Sequence, residues 1–542
     1  MAQRAERREH SAERGARNNR GIFAGLALLL LLSCGEKKEI RGGEEQAVAR
    51  VGDKLITVQD FRRSYETGFA HLKTGPDRKR TYLKYMINEK LLALEGYRLG
   101  LHQAEWIRES ERMLLNELLI EALIETEVKS KIKVAPEEIR AAINQSKVSF
   151  KFRYWVEASR EEAHETARAM RERGYAEVVD EKLRGNPELR INPQDLESDY
   201  LNGLETPPEL LEAIQDLPYG DISEPVFLND RYYIFQVLDI RRRAVTENEY
   251  LAKASTFEQT VFYRKFYVEL ERYGVRLMES RGVSTPGKAL NLLGKALVEW
   301  EKSRESSRSY PGAAPMGPAG FKEAVHHAPE TLPALKALRE NLSQPFTVCN
   351  GGTITFEEFL DYFRPGRIAS TAKDKRPFSE RLKDAAAEGI RDYFLAAEGR
   401  KKNLEKEPGV RAELALWRDK WVYEAAQRHF TREVQIGDEE VKEYFAKNKQ
   451  RYKTGREEDP ALSALYERAR RDAYHEASLA ALNRHIDLLK ERYPVRIYEA
   501  ALDTVTVIDF RKSRWASMQL YKSGVNRLAY PAVDPGWSSA GR

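Results

Sequence analysis

The chain repeats itself, and that repeat constrains its fold more than any other feature. Ile354-Thr355-Phe356-Glu357-Glu358-Phe359 echoes Ile56-Thr57-Val58-Gln59-Asp60-Phe61, which lies 298 positions earlier. Residues 390–399, ending in Glu398-Gly399, echo 87–96, ending in Glu95-Gly96, at a spacing of 303. Residues 434–441 echo 132–139 at 302. Order and spacing hold together, as a duplicated module requires. A fourth match sets Arg492-Tyr493-Pro494-Val495-Arg496-Ile497 against Arg272-Tyr273-Gly274-Val275-Arg276-Leu277, now at only 220. The shortfall of 82 residues is the size of a small domain, inserted in the first copy and absent from the second.

Each copy opens in the same way. Residues 48–57 read as a strand, a Gly52-Asp53 turn and a second short strand. Thr57 with Asp60, and Thr355 with Glu358, then have the spacing of a helix-starting box, in which the threonine oxygen accepts from an early backbone N–H. Leu83, Met86, Ile87, Lys90, Leu91 and Leu94 place an apolar stripe at helical steps, and Leu114, Leu115, Leu118, Leu119 and Leu123 place another. Pro136 sits where a helix start tolerates it.

Inside the first copy the texture changes. Phe150-Lys151-Phe152-Arg153-Tyr154-Trp155-Val156 is aromatic and β-prone, a helix is predicted from Arg160 to Arg173, and Tyr232-Tyr233-Ile234-Phe235-Gln236-Val237-Leu238 closes a small α+β unit. Helical periodicity resumes near Glu247 and is predicted to turn into a strand at Arg272 to Leu277. The Ser, Pro and Gly bias of 303–320 reads as a linker. The fold class is therefore α+β and mostly helical: two helical modules, the first carrying an inserted α+β domain. The expected boundaries are a leader at 1–33, a tether at 34–46, the first module at 47–148 and 244–300 around an inserted domain at 149–243, a linker at 301–345, a second module at 346–502, and a poorly ordered tail at 503–542.

Net charge is +5, but the first 33 residues hold six Arg against three Glu. The remaining 84 basic and 82 acidic groups nearly balance, which gives no electrostatic footing for nucleic acid. The apolar run 22–32 is too short to cross a bilayer as a helix and reads as the core of a secretion signal. It ends in Leu31-Leu32-Ser33-Cys34, which resembles a bacterial lipobox, so Cys34 is expected to carry lipid. With Gly35 in place of Asp, the lipoprotein resemblance implies sorting to the outer membrane of a Gram-negative cell, or the outer face of the plasma membrane in a Gram-positive one. Cys349, the other cysteine, is then left without a disulfide partner and is expected to fill core. The nine His are scattered without ligand spacing, and no nucleotide-binding motif is present, so neither a metal nor a cofactor is expected.

One motif names a family. Pro208-Glu209-Leu210-Leu211-Glu212-Ala213, followed by Leu217-Pro218-Tyr219-Gly220-Asp221-Ile222-Ser223-Glu224-Pro225-Val226, resembles the helix and Gly-x-Ile-Ser-x-Pro-Val turn of the parvulin-type peptidyl-prolyl isomerases. The surrounding helical segments resemble the chaperone domain of SurA-like and PrsA-like foldases. The resemblance implies a pocket lined by two histidines, one in each central strand. Here Arg153 and Tyr233 are aligned with those positions, and Pro193-Gln194-Asp195-Leu196-Glu197 replaces the family's Gly-Gly-Asp-Leu-Gly loop, keeping Asp195 and Leu196. Loss of both histidines and of three glycines implies a degenerate isomerase domain. Three readings are open, the first two being a lipid-anchored chaperone that binds unfolded or assembling exported polypeptides and an active prolyl isomerase with a rearranged pocket. A scaffold for one partner is the third.

Overall fold

The computed structural model describes residues 47–186, 191–204, 206–228, 231–244, 246–307, 320–368, 376–452, 462–508, 528 and 530–538. The leader and Cys34 lie outside them. The chain is α+β and mostly helical. It divides into two compact units, one built around Ile124–Gly282 and the other joining 47–123, 283–368 and the described residues from Phe378 onward.

In the larger unit, β1 (Ala47–Val51) and β2 (Lys54–Thr57) form an antiparallel hairpin around Gly52, whose φ of +59° suits a residue without Cβ. Thr57 Oγ1 accepts from the Asp60 N–H at 3.0 Å, and Asp60 Oδ2 accepts from the Thr57 N–H at 3.1 Å, starting the helix Val58–Thr67. The second copy repeats this device. Its hairpin pairs Pro345–Cys349 with Gly352–Thr355, and Thr355 and Glu358 cap the helix Phe356–Leu360.

The copies are interlocked through their closing segments. Val495–Ile497 lies antiparallel on β1, with Val495 opposite Val51, Arg496 opposite Arg50 and Ile497 opposite Ala49. The second hairpin is joined at Ser284, which exchanges two backbone hydrogen bonds with Val348, at 2.8 and 2.9 Å. Arg50 and Val348 are matching positions, so each hairpin is closed by the segment that follows the other copy's long helix. The strand expected at Arg272 to Leu277 is not formed, because those residues lie within the 33-residue helix Glu247–Glu279. An interior glycine such as Gly274 costs a helix only about 1 kcal/mol, which a helix of that length absorbs.

Helices cross over between copies too. Gly96, on Arg78–Arg98, is so close to Pro408–Thr431 that an added Cβ would lie 2.6 Å from Val422. At the matching position, Gly399 on Phe378–Lys401 faces Leu119, where a Cβ would lie at 3.1 Å. One apolar core therefore mixes Phe61, Tyr82, Leu83 and Leu92 of the first copy with Tyr423, Ala426, Leu482 and Ile486 of the second.

Three smaller expectations are corrected here. Residues expected as linker form the helices Gly320–His326 and Pro333–Glu340, with Lys322 buried among Glu109, Glu357 and Asp361. The tail, expected to be poorly ordered from 503, has Val505, Val533 and Trp537 buried. Cys349 is half-buried at a strand end rather than in a core.

The smaller unit holds a four-stranded sheet. Labelling strands in chain order, β3 is Val148–Glu157, β4 Leu201–Asn202, β5 Val226–Leu228 and β6 Arg231–Arg242, and the sheet runs β4-β3-β6-β5. Helices Arg160–Arg173 and Tyr175–Gly185 cover one face, where Trp155, Ala163, Ala167, Met170 and Ile234 meet. The short helix Pro208–Ile214 covers part of the other, over Phe150, Phe152, Phe235 and Val237.

Candidate functional site

The pairing of β3 with β6 decides which residues can share a pocket. A bulge falls between Lys151 and Phe152; beyond it Arg153 stands opposite Gln236, Tyr154 opposite Phe235, Trp155 opposite Ile234 and Val156 opposite Tyr233. Side chains alternate between faces along a strand, and paired residues share a face. Arg153, Trp155, Ile234 and Gln236 thus lie on one side of the sheet. Phe152, Tyr154, Tyr233 and Phe235 lie on the other.

The expected partnership of Arg153 with Tyr233 is therefore corrected. Arg153 Nε donates to Gln236 Oε1 at 2.6 Å, and its guanidinium lies 4.2 Å from the centre of the Tyr175 ring, on the helix-covered face. Tyr154 is the residue beside Tyr233, with ring centroids 6.0 Å apart. The bulge moves the register by one residue, and with a period of two, one residue changes the face.

An aromatic row results. Tyr233 stacks on Phe235 at 6.0 Å, and Phe235 meets Phe152 edge to face at 5.6 Å. Leu210, Leu211 and Ile214 close one end of the row. Asp195, on the single turn Pro193–Leu196, is exposed, and its charge reaches Tyr154. Burial first, then Tyr233 and Asp195, push the Tyr154 hydroxyl above the usual phenol value. It stays protonated at neutral pH, so it has a proton to donate and does not act as a base. Leu196 points away from this group and is buried with Trp155 and Val178 in the helix-side core.

The turn that carries the motif is bound tightly to β6. Gly220, at φ +86°, donates to Val237 O at 3.0 Å, and its own carbonyl accepts from the Gln236 amide. Ser223 donates its N–H to Phe235 O, and its Oγ accepts from the Phe235 N–H, both at 2.9 Å. Arg171 clamps the outside through Ser223 O at 2.9 Å and Glu224 at 2.6 Å. The turn therefore holds the middle of β6, and with it Tyr233 and Phe235, in fixed register.

Tyr154 is the residue that sequence reading missed. The signal was present in the alternation of Phe150, Phe152 and Tyr154, which places all three on one face. Among the described residues no cluster of His, Cys, Asp and Glu has the geometry to hold a metal ion, and no helix is long and apolar enough to cross a membrane.

No family model and no curated protein matches the sequence. Solved structures do align with it. The peptidylprolyl isomerase PrsA of Bacillus anthracis aligns at 12% identity over 35% of this chain and 96% of its own, with a TM-score of 0.20. One of two SurA-like chaperones of Campylobacter jejuni, the virulence factor PEB4 and the periplasmic protein Cj1289, aligns at 17% over 44% of this chain and 100% of its own, with a TM-score of 0.19. The foldase PrsA of Streptococcus pneumoniae aligns at 14% over 40% and 91%, with a TM-score of 0.18. Scores this low carry no functional argument. They record that the chain is similar to PrsA-like and SurA-like foldases.

Proposed function

We propose that this protein is an extracytoplasmic chaperone, anchored through lipid on Cys34 to the periplasmic side of the outer membrane, that holds unfolded or assembling exported polypeptides without nucleotide. On this reading the parvulin-like domain binds segments of its clients and no longer catalyses isomerisation. The observation that carries it is the sheet face itself. Tyr233, aligned with one of the family's two histidines, stands beside Tyr154 rather than beside Arg153, in an aromatic row suited to apolar segments. Tyr219 and Phe227 on the same domain are 74% and 57% exposed. Large exposed aromatics at such density favour contact with other chains.

The alternative, an active prolyl isomerase, is favoured by one observation: the Asp195 carboxylate lies within electrostatic reach of the Tyr154 hydroxyl. Rotation about an X–Pro bond is slow enough uncatalysed for even modest help to matter. A donor hydroxyl in the field of a carboxylate is the minimum such help would need.

The chaperone reading is tested by light scattering of a chemically unfolded outer-membrane protein diluted into buffer, with soluble protein starting at Gly35 and no ATP. Suppressed aggregation at near-equimolar ratio is expected. Aggregation unchanged at a large molar excess would remove the reading.

A further inference from the structure

The C-terminal segment Tyr530-Pro531-Ala532-Val533-Asp534-Pro535-Gly536-Trp537 lies in a groove of the larger unit in the manner of a bound peptide. Apart from the single turn Pro535–Trp537 it has no regular structure, and groove side chains meet two of its backbone groups. The Asp534 N–H donates to Glu89 Oε1 at 2.6 Å, and Pro535 O hydrogen-bonds His71 Nε2 at 2.9 Å. Asp534 Oδ2 accepts from the Tyr423 hydroxyl at 2.9 Å and from the Gln427 amide at 3.1 Å. Trp537 is buried, faces the rings of Tyr85 and Tyr423 and donates its indole N–H to Glu89 at 3.2 Å, while Lys420 holds Glu89 at 2.9 Å. A cleft of about 120 Å³ remains beside Tyr530, Pro531 and Val533.

The duplication supplies the comparison. Asp60, Arg63, Lys90 and Asp419 of this groove correspond by position to Glu358, Asp361, Tyr393 and Asn116, and those four residues line a cleft of about 380 Å³ in the other half. The interlocked architecture thus makes the same depression twice. No described residue of the C-terminal segment lines the second, and its lining differs in charge, with Asp361 at the position of Arg63.

We propose that the groove beneath Tyr530 to Trp537 is a docking site for extended segments of other polypeptides that carry a carboxylate between apolar residues and prolines, and that this chain's own C-terminus is its resident competitor. The class of partner rests on the chaperone reading; the cis occupancy does not. Glu89 and His71 read the backbone, Tyr423 and Gln427 read one carboxylate, and Tyr85 with Tyr423 takes an aromatic ring. Two prolines reduce the freedom the segment loses on docking. A tethered segment sees its site at an effective concentration of order mM, so even a weak intrinsic affinity keeps the groove filled. Only a client with several contacts elsewhere on the protein displaces it.

The test keeps the chain whole. A site for a specific protease is placed between Ile508 and Leu528, and a fluorescein-labelled peptide with the sequence of Tyr530–Ser538 is followed by anisotropy before and after cutting. The uncut protein is expected to exclude the peptide. The cut protein is expected to exchange its own segment for it with an affinity in the micromolar range, while peptides carrying Asp534→Ala or Trp537→Ala bind at least about tenfold more weakly, the loss of one buried hydrogen-bonded group or ring. Circular dichroism is expected to record the same fold before and after exchange.

Three results would overturn the proposal. Retention of the cut segment against a large excess of peptide, or unfolding when it leaves, would make it a structural strut. Equal binding of the Ala peptides would make the uptake nonspecific. Uptake by the uncut protein would place the site elsewhere, the matching cleft included. If aggregation suppression fails while exchange succeeds, the chaperone reading falls and the cis-occupied groove stands.

Discussion

The two hairpins of the larger unit are matched by the repeat, share the Ile-Thr that ends the second strand, and finish with unequal closures. The first, Ala47–Val51 with Lys54–Thr57, gains a third strand of three residues. The second, Pro345–Cys349 with Gly352–Thr355, gains the single bridge at Ser284. The charges around them follow the same asymmetry. Glu95 receives Arg98 at 2.7 and 2.9 Å, Arg492 at 2.7 Å and the Tyr493 hydroxyl at 2.9 Å, tying the helix of the first copy to the residues that lead into the closing strand. Its counterpart Glu398 has Lys401 at 3.7 Å. Duplication supplied two equivalent joints, and only one is reinforced. The first closure is accordingly expected to anchor the interlock, and the second to open first.

The largest effect is expected at the reinforced joint. Glu95→Gln removes charge from three hydrogen-bonded partners and should cost about 2–3 kcal/mol, read as a lower urea midpoint. Its pH dependence has a definite sign. Arg98, Tyr493 and Arg492 hold the Glu95 carboxyl down at about 2, below its unfolded value, despite some burial. Its contribution is therefore complete above the unfolded pKa of about 4.5 and is lost as pH falls toward 2. The wild type should lose stability across that window, and Glu95→Gln should lose less.

Gly96→Ala should cost about 2 kcal/mol, since a Cβ 2.6 Å from the Val422 side chain and 3.0 Å from its carbonyl forces the helices apart. Gly399→Ala, at 3.1 Å from Leu119, needs only a small adjustment and gains about 1 kcal/mol of helix propensity, so its net effect should be under about 1 kcal/mol in either direction. Equal losses at the two glycines would mean that the helix crossings are not asymmetric. Ser284→Pro removes the N–H that Val348 O accepts and should cost about 1 kcal/mol, seen as faster amide exchange at Val348 with exchange at Arg50 unchanged. The smallest effect is expected from Glu398→Gln, within about 0.5 kcal/mol. A loss there as large as at Glu95 would contradict the comparison.

The sequence made the local devices legible and the long-range ones opaque. Both Thr-led helix starts, the inserted sheet domain and the Gly220 to Val226 turn arise from side-chain chemistry within a few residues. The exchange of closing segments does not, because Val495–Ile497 has only three residues and carries no information about which of two similar hairpins it joins. Arg272 to Leu277 resembled it closely enough to mislead, while the pairing residue, Ser284, has no resemblance to Arg496 at all. The docked C-terminus was hidden because a segment with two prolines and no periodicity reads as loop, although its Tyr, Val and Trp are apolar enough to be buried. At the candidate site Asp195 and Tyr233 were named from the sequence, and the structure sets both near Tyr154. Arg153 was named by its position in the motif, and the bulge between Lys151 and Phe152, which sets it on the face opposite Tyr233, cannot be read from residue types.

The retired-pocket claim is tested most directly by a protease-free prolyl isomerisation assay on an X–Pro peptide, using soluble protein starting at Gly35. A rate equal to the uncatalysed one, with aggregation suppression intact, is expected from a face built of Tyr154, Tyr233 and Asp195. Acceleration that disappears in Asp195→Ala or Tyr154→Phe would contradict it and make the domain a working isomerase with a different set of polar groups.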